Sequence, residues 1–220
     1  MTPNRRRPPV TASLTRQSFI AGLALSALAA LPAVAQGAPK IGTPAPAFQA
    51  VDADGKPRSL AEFKGRTVIL EWTNHDCPYV RKHYGSSTMQ TLQKDMAREG
   101  IVWLSVISSP VGEQGHVDGA KAKELTASRD AAPTAVLLDP DSKVARAYGA
   151  TTTPHMYIVD GQGRLAYMGA IDDKPSAGAA SLAGAKSYIR QAVAEMKAGK
   201  PVSEASTRAY GCAVKYAPLS

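Results

Sequence analysis

The chain has 220 residues, and its 26 Lys and Arg residues against 18 Asp and Glu residues give a formal net charge of +8. Four of the arginines precede residue 36, so loss of that segment would leave a mildly basic domain of net charge +4. No long basic run and no zinc-finger spacing is present, which argues against nucleic-acid binding. Two cysteines are too few for a disulfide scaffold, so we expect them to serve a reaction or to form one specific bond.

Residues 1–35 are predicted to be a cleaved signal peptide. They carry the four early arginines and no acidic residue, and an apolar stretch follows over residues 19–31. Ala33-Val34-Ala35 matches the small-x-small cleavage pattern, which would leave Gln36 as the mature N-terminus. The apolar stretch is short for a membrane-spanning helix. We therefore expect a periplasmic protein without a membrane span after cleavage, with an uncleaved anchor as the alternative.

Alternating strand and helix patterns over residues 48–197 predict a mixed α/β domain. Strands are predicted at 48–51, 67–72, 101–107, 135–138, 156–159 and 165–168. Helices are predicted at 59–63, from 78 to about 99, and at 118–128, 141–148 and 181–197. The second of these rests on apolar or small residues recurring every four positions, namely Val80, Tyr84, Thr88, Leu92 and Met96.

This order predicts a mixed central sheet with helices on both of its faces. The first strands follow a strand–helix–strand pattern typical of parallel pairs, and the last two form a hairpin around the turn at residues 160–163. We assign residues 36–198 to this domain, preceded by the N-terminal extension, and residues 199–220 to a C-terminal tail that carries Cys212.

Cys77 is the strongest candidate for chemistry. It lies between a predicted buried strand and a predicted helix, where the free N–H groups of the helix N-terminus favour a thiolate. A thiolate is the nucleophile in disulfide exchange and in peroxide reduction. The polar neighbours His75 and Asp76 favour an accessible, reactive thiol over a buried structural cysteine, although the Asp76 carboxylate itself would raise the pKa of Cys77.

The order of the elements resembles the thioredoxin fold, with Cys77 at the start of the first long helix and Thr153-Pro154 before the hairpin. In that fold the proline follows a cis peptide bond and lies beside the reactive cysteine. The resemblance therefore implies a cis bond before Pro154. It also implies that the backbone of Thr153 presents polar groups to a bound substrate chain.

Three separate motifs resemble exported peroxiredoxin-like redoxins of the alkyl hydroperoxide reductase and thiol-specific antioxidant superfamily. They are EWTNHDCPYVRKHY at residues 71–84, TPHM at residues 153–156 and YGCAVKY at residues 210–216. The chain departs from thioredoxins at Asn74, where a second cysteine would complete a local dithiol. It departs from typical peroxiredoxins at Leu70 and Asn74, which replace a proline and a threonine or serine. Peroxide and protein disulfide both stay open as substrates.

We predict that Cys77 is the nucleophile and that Cys212 resolves its oxidised form. A free thiol on the tail and a permanent structural disulfide are the alternatives for Cys212. His75 is expected to tune the thiolate or to be a plain loop residue, and His83 to lie on the solvated face of its helix. The remaining supporting residues predicted around the cysteine are Trp72, Asn74, Pro78, Thr153, Pro154 and His155.

Three function hypotheses follow. The first is an exported thiol oxidoreductase that needs no bound cofactor or metal and is recycled by an external dithiol reductant or a thiol/disulfide protein partner, with peroxide as an alternative small substrate. The second is a copper-binding module in which His75, Cys77 and His155 converge on a soft metal. The third is a redoxin-like interaction domain without catalysis.

Overall fold

The computed structural model describes residues 38–219 together with Met1. The predicted signal peptide, residues 1–35, lies outside the described residues except for Met1. Within residues 38–219, no helix has both the length and the apolar character that crossing a bilayer requires.

The described residues form nine strands and five α-helices. The strands are β1 (Gln49–Asp52), β2 (Pro57–Ser59), β3 (Val68–Trp72), β4 (Val102–Ile107), β5 (Ala135–Leu138), β6 (Thr152–Thr153), β7 (His155–Val159), β8 (Leu165–Gly169) and β9 (Cys212–Ala213). The helices are α1 (Pro78–Gly85), α2 (Thr88–Arg98), α3 (Gly119–Ser128), α4 (Lys143–Tyr148) and α5 (Tyr188–Lys197). Short 3-10 helices cover Leu60–Phe63 and Ala179–Leu182.

Seven strands form one mixed sheet in the order β2-β1-β5-β4-β3-β7-β8. Strands β3, β4 and β5 are parallel, while β7 and β8 on one side and β1 and β2 on the other are antiparallel to their neighbours. All five residues of β3 are buried, as expected for a strand covered on both faces. This strand leads directly to Cys77.

Helices cover both faces of the sheet, as the sequence predicts. Successive residues of β3 point to opposite faces, so Ile69 and Leu70 belong to different cores. Ile69 packs with residues of α1, α2 and α5, whereas Leu70 packs with residues of α4 and of the N-terminal strands. Cys77 belongs to the core that contains Ile69.

The prediction of a single long helix after Pro78 is wrong. Helix α1 ends at Gly85, and Ser87 adopts a left-handed conformation with φ of 60° before α2 begins. The carbonyl of Tyr84, which a continuing helix would use, instead accepts hydrogen bonds from Ser87 N at 3.2 Å and from the side chain of Gln90 at 2.8 Å. As a result Thr88, which the four-residue spacing predicts to be buried, is exposed. Met89 is buried instead.

The last helix is shorter than predicted. It begins at Tyr188 rather than at Ser181, because Ser187 caps it by accepting a hydrogen bond from Arg190 N. Gly184 lies before this cap with a positive φ of 66°, which ends any helical path from the preceding 3-10 turn. No local pattern predicts β6 and β9, two-residue strands that pair only with each other.

A buried glutamate ties β3 to the two helices that follow it. Glu71 is fully buried, and its carboxylate accepts hydrogen bonds from Trp103 Nε1 and Ser105 Oγ at 2.9 Å, Tyr84 OH at 3.0 Å and Gln93 Nε2 at 3.3 Å. Burial raises the pKa of Glu71, and the hydrogen bonds only partly offset that effect.

This raised pKa predicts how stability changes with pH. The folded protein keeps the Glu71 proton to a higher pH than the unfolded chain, so stability falls as the pH rises from the ordinary value of 4.5 through the folded pKa. The slope has a limit of about 1.4 kcal/mol per pH unit. Urea unfolding between pH 4 and pH 8 should show a steeper decline in the wild type than in Glu71→Gln, because the raised pKa of Asp139 contributes to both proteins. Glu113→Gln, at an exposed position, is the matched control, and parallel curves for wild type and Glu71→Gln would contradict the prediction.

Candidate active site

The turn between β3 and α1 sets the position of Cys77. Asn74 is buried in this turn, and its carbonyl oxygen accepts a hydrogen bond from Cys77 N at 3.1 Å. Its side-chain oxygen accepts one from Asp76 N at 2.9 Å, and its amide nitrogen donates to the Gln114 carbonyl at 3.4 Å. Asn74 therefore shapes the loop at the place where thioredoxins carry another cysteine.

Cys77 is the N-cap residue of α1, and Pro78 occupies the start of the helix as predicted. The thiol makes no cap hydrogen bond; instead Cys77 Sγ lies 3.0 Å from the carbonyl oxygen of Thr153. The Thr153–Pro154 peptide bond is cis, which confirms the expectation from the thioredoxin resemblance. The predicted residues Cys77, Pro78, Thr153 and Pro154 are thus brought to one place.

The sequence predicted an accessible Cys77, and this prediction is wrong: the exposed fraction of the residue is 0%. The polar turn residues suggested an open thiol, but the C-terminal tail returns to this site. Tyr210 and Cys212 pack against the core cluster that contains Cys77. The tail, which local sequence patterns cannot place, closes the site from outside.

Cys212 reaches the site by pairing with the residue before the cis-proline. Strand β9 is antiparallel to β6, with Cys212 opposite Thr153, and Val214 N donates to the Thr151 carbonyl at 3.0 Å. Gly211 has a φ of 140°, and a Cβ atom there would lie 1.9 Å from the Thr153 carbonyl oxygen, so this close approach requires glycine. Both cysteines are free thiols in this structure.

The two thiols differ in acidity. Burial alone would raise the pKa of Cys77, but hydrogen bonds involving Cys212, Thr153 and the backbone N–H of Val80 outweigh it and lower the pKa below that of an ordinary thiol. Burial and the adjoining Cys77 raise the pKa of Cys212 to about 12. The contacts thus favour one negative charge on the pair, held on Cys77.

Trp72 lies in the core on the sheet face opposite the core of Cys77. Its indole nitrogen donates to Ser108 Oγ at 3.0 Å, and its ring packs against Tyr148 and Tyr157 with centroid distances of 5.5 and 5.1 Å. The side chain is fully buried, and the supporting role predicted for Trp72 stays a prediction.

The two predicted histidines do not converge on Cys77. His75 is half-buried with its Nε2 atom 3.5 Å from Asp76 Oδ2, and burial lowers its pKa despite the nearby carboxylate. His155 is buried against Tyr157 with a ring distance of 4.5 Å, on the sheet face opposite the core of Cys77. Burial lowers the pKa of His155 to about 4, so this ring is neutral at neutral pH.

The copper hypothesis finds no support in this arrangement. Among residues 38–219, no three His, Cys, Asp or Glu side chains are grouped so that they could hold a metal ion. The supporting roles assigned to His75 and His155 stay predictions.

Sequence reasoning missed a buried polar cluster beside the site, formed by Lys82, His83, Asp172 and Tyr210. His83 is fully buried, so its expected place on a solvated helix face is wrong. Its Nε2 atom lies 3.8 Å from Asp172 Oδ2, and burial lowers its pKa to about 4. Adjacent Lys and His residues on a helix normally indicate a solvated surface, and only the returning tail and the loop after β8 bury them here.

The hydrogen bond from Cys212 predicts a difference between two variants of that residue. Cys212→Ser keeps a donor beside Cys77, whereas Cys212→Ala removes it at similar size, so the pKa of Cys77 should be higher in the alanine variant by roughly 0.5–1 pH unit. The rate of iodoacetamide alkylation of Cys77, the one remaining cysteine, reports this pKa when measured from pH 4 to pH 10. Identical midpoints would show that Cys212 does not stabilise the thiolate.

Solved structures share this fold. An uncharacterised conserved protein from Geobacillus kaustophilus matches with a TM-score of 0.70 and 24% identity, over 82% of this chain and 94% of that one. A hypothetical protein from Sinorhizobium meliloti 1021 matches with a TM-score of 0.69 and 23% identity, over 83% and 98% of the two chains. A putative protein disulfide isomerase from Bacteroides thetaiotaomicron matches less well, with a TM-score of 0.51 and 17% identity over 72% and 90%.

The thioredoxin-like fold predicted from the sequence is therefore confirmed. No curated protein matches the chain significantly. The AhpC/TSA family model matches residues 41–168, a segment that includes β3, Cys77, α1, the cis-proline and most of the hairpin. Since this match extends over more than half of the 220 residues, the protein belongs to the AhpC/TSA family.

Proposed function

We propose that this protein is a thiol-dependent oxidoreductase in which Cys77 is the nucleophile and Cys212 the resolving cysteine. One observation carries the proposal: Thr153 contacts Cys77 Sγ through its carbonyl oxygen and faces Cys212 across the β6–β9 pair. The two cysteines of the chain, 135 positions apart in sequence, are thereby brought to one residue.

The unequal acidities support this division of roles. A lowered pKa makes Cys77 the thiolate at neutral pH, and the thiolate is the attacking species. Cys212, with its pKa raised to about 12, keeps its proton until Cys77 has reacted. Once Cys77 loses its negative charge, the charge that holds the proton on Cys212 is gone, and Cys212 becomes easier to ionise.

The proposed catalytic cycle has three steps. With a hydroperoxide, the Cys77 thiolate attacks the O–O bond, becomes a sulfenic acid and releases the alcohol or water; with a disulfide, it forms a mixed disulfide and releases one thiol. The sulfur of Cys212 then attacks the Cys77 sulfur, closes the Cys77–Cys212 disulfide and expels water or the second thiol. An external dithiol returns both cysteines to thiols and becomes a disulfide itself.

The groove beside the cis-proline supports recognition of an extended chain. In this structure the protein's own tail occupies it as a strand, with backbone pairing at Thr153. This strand shows that an extended backbone fits beside Cys77, which favours thiol/disulfide protein partners. A hydroperoxide needs less space and is the second substrate class to be compared.

Mapping the order of oxidation tests the mechanism. Reduced protein is treated in one arm with a slight excess of hydrogen peroxide and in the other with oxidised glutathione, and modified cysteines are identified by mass spectrometry. We expect Cys77 to react first and the wild type to finish as the Cys77–Cys212 disulfide. Cys212→Ser should stop at the sulfenic acid or the mixed disulfide, and Cys77→Ser should stay reduced over the same time.

The relative rates of the two arms identify the preferred oxidant class. Oxidation of Cys212 ahead of Cys77 would contradict the assigned roles. A Cys77 that reacts with neither oxidant would favour the alternative of an interaction domain without catalysis.

We also propose that the protein acts in the periplasm after cleavage behind Ala35. The basic start, the apolar stretch and the small-x-small pattern of residues 1–35 support this. An oxidising compartment is also where a reversible disulfide and an external dithiol partner are expected. Mass analysis of the protein from a periplasmic fraction should give a chain that begins at Gln36. Recovery of a chain with residues 1–35 still attached, in the membrane fraction, would favour the anchor instead.

A further inference from the structure

The tail that carries Cys212 is held by side chains on both sides of the cysteine. On the far side, Tyr216 OH donates to the Ala150 carbonyl at 2.7 Å, and Val214 N pairs with Thr151. On the near side, Tyr210 lies two residues before Cys212 and reaches into the buried polar cluster described above. The contact of Tyr210 has no role in the redox steps proposed above.

Tyr210 makes three kinds of contact there. Its hydroxyl donates to Asp172 Oδ1 and lies 3.3 Å from Lys82 Nζ, which donates to it. Its ring packs edge-on against Tyr79 with a centroid distance of 5.8 Å, and Lys82 Nζ lies 5.1 Å from the ring centre. Lys82 is buried, and Tyr210 is half-buried.

The charges of this cluster are buried. The side chains of Lys82 and Asp172 are 0% and 5% exposed, with Lys82 Nζ 4.0 Å from Asp172 Oδ2. Lys82 Nζ also donates to the Lys174 carbonyl at 2.9 Å, and Asp172 Oδ1 accepts from Lys174 N at 2.9 Å. Burying such a pair costs desolvation energy that its own attraction hardly recovers, so it contributes geometry more than stability.

The cluster connects the tail to helix α1. Cys77 caps the start of this helix, and Lys82 belongs to the same helix. A tail tied to Lys82 through Tyr210 is therefore tied to the element that carries the nucleophile. Gly211 then allows the backbone to pass against Thr153, which brings Cys212 opposite that residue.

We propose that Lys82 and Asp172 form a buried anchor for Tyr210, and that these three positioning residues hold Cys212 over Cys77. This inference rests on the proposed function and adds its control element. The anchor has two opposite consequences. It keeps Cys212 close, which favours closure of the Cys77–Cys212 disulfide, and it keeps Cys77 covered, which slows attack on outside reagents.

Tyr210→Phe tests the anchor because it keeps the ring against Tyr79 and removes only the hydroxyl. Tyr188→Phe is the matched control, since no hydrogen bond of the Tyr188 hydroxyl is found among residues 38–219. The full-length proteins are equilibrated in glutathione redox buffers, and the fraction of Cys77–Cys212 disulfide gives an effective concentration. In a second measurement, the alkylation rate of Cys77 in the reduced proteins is followed by mass spectrometry.

For Tyr210→Phe we expect the effective concentration to fall roughly tenfold, the factor that one hydrogen bond to a charged group commonly represents. The alkylation rate of Cys77 should rise by a similar factor, while Tyr188→Phe leaves both quantities unchanged. Asp172→Asn leaves Lys82 buried without its counter-charge, so it should change both quantities at least as much as Tyr210→Phe. Thermal unfolding of each variant separates a local release of the tail from general destabilisation.

Gly211→Ala provides an independent way of releasing the tail. A methyl group there would collide with the Thr153 carbonyl, so Cys77 alkylation should accelerate without any change to the anchor. Gly199→Ala is its control, because Gly199 has a positive φ of 68° but nothing within 4 Å of the added Cβ.

The possible failures are distinguishable. If the wild type forms no Cys77–Cys212 disulfide, the proposed function fails, and the alkylation rates alone decide on the anchor. Faster alkylation in Tyr210→Phe would then still support an anchor that covers Cys77. If Gly211→Ala accelerates alkylation and Tyr210→Phe changes neither quantity, the tail is held without Tyr210 and the inference is overturned.

Discussion

The site depends on one backbone meeting point, the residue before the cis-proline. The Thr153 carbonyl lies against the sulfur of Cys77 on one side and against Gly211 of the tail on the other. Strand β6 is only two residues long, yet its pairing with β9 decides whether Cys212 belongs to the site. Without this pairing, Cys77 would be a lone thiol at a helix start.

Burial strongly affects the ionisation of the two cysteines, since Cys77 is fully buried and Cys212 is half-buried. Burial, together with the hydrogen bond to Cys77 and the charge on it, raises the pKa of Cys212 to about 12. Hydrogen bonds to Cys77 overcome the unfavourable effect of burial and lower its pKa. Burial thus acts against both thiolates, and the asymmetry between the two sulfurs comes from which one receives the hydrogen bonds.

The core around the site contains buried ionisable groups whose desolvation is costly. Glu71 lies under four donors in the middle of the sheet, and Lys82 with Asp172 lies under the tail. A well-packed apolar core is often at least as stable as a buried ion pair such as Lys82 and Asp172. What both provide is a fixed relation between β3, α1 and the tail, and these are the elements that present Cys77 and Cys212.

Much of this protein could be predicted from the sequence, because local patterns specify local structure. The β-branched and apolar run of β3, the strand β5 and the Asp118 cap of α3 follow from residues within a few positions. The order of the elements, with Cys77 at a helix start and Thr153-Pro154 before the hairpin, also predicted the thioredoxin-like fold and the cis-proline correctly. The break at Ser87 was missed because Gln90 and Ser87 together satisfy a carbonyl that the four-residue pattern assigns to a continuing helix.

Only the tertiary structure decided whether the predicted site is open and what surrounds it. Cys77 is sealed, and His83 and Lys82 are buried, because a tail more than a hundred residues later in the chain packs over them. His155 follows Pro154 directly but faces the other side of the sheet, since neighbouring strand residues alternate. The sequence by itself indicated the candidate residues for the chemistry and most of the elements of the sheet. Their burial, their charges and their partners depend on long-range packing, which no local pattern encodes.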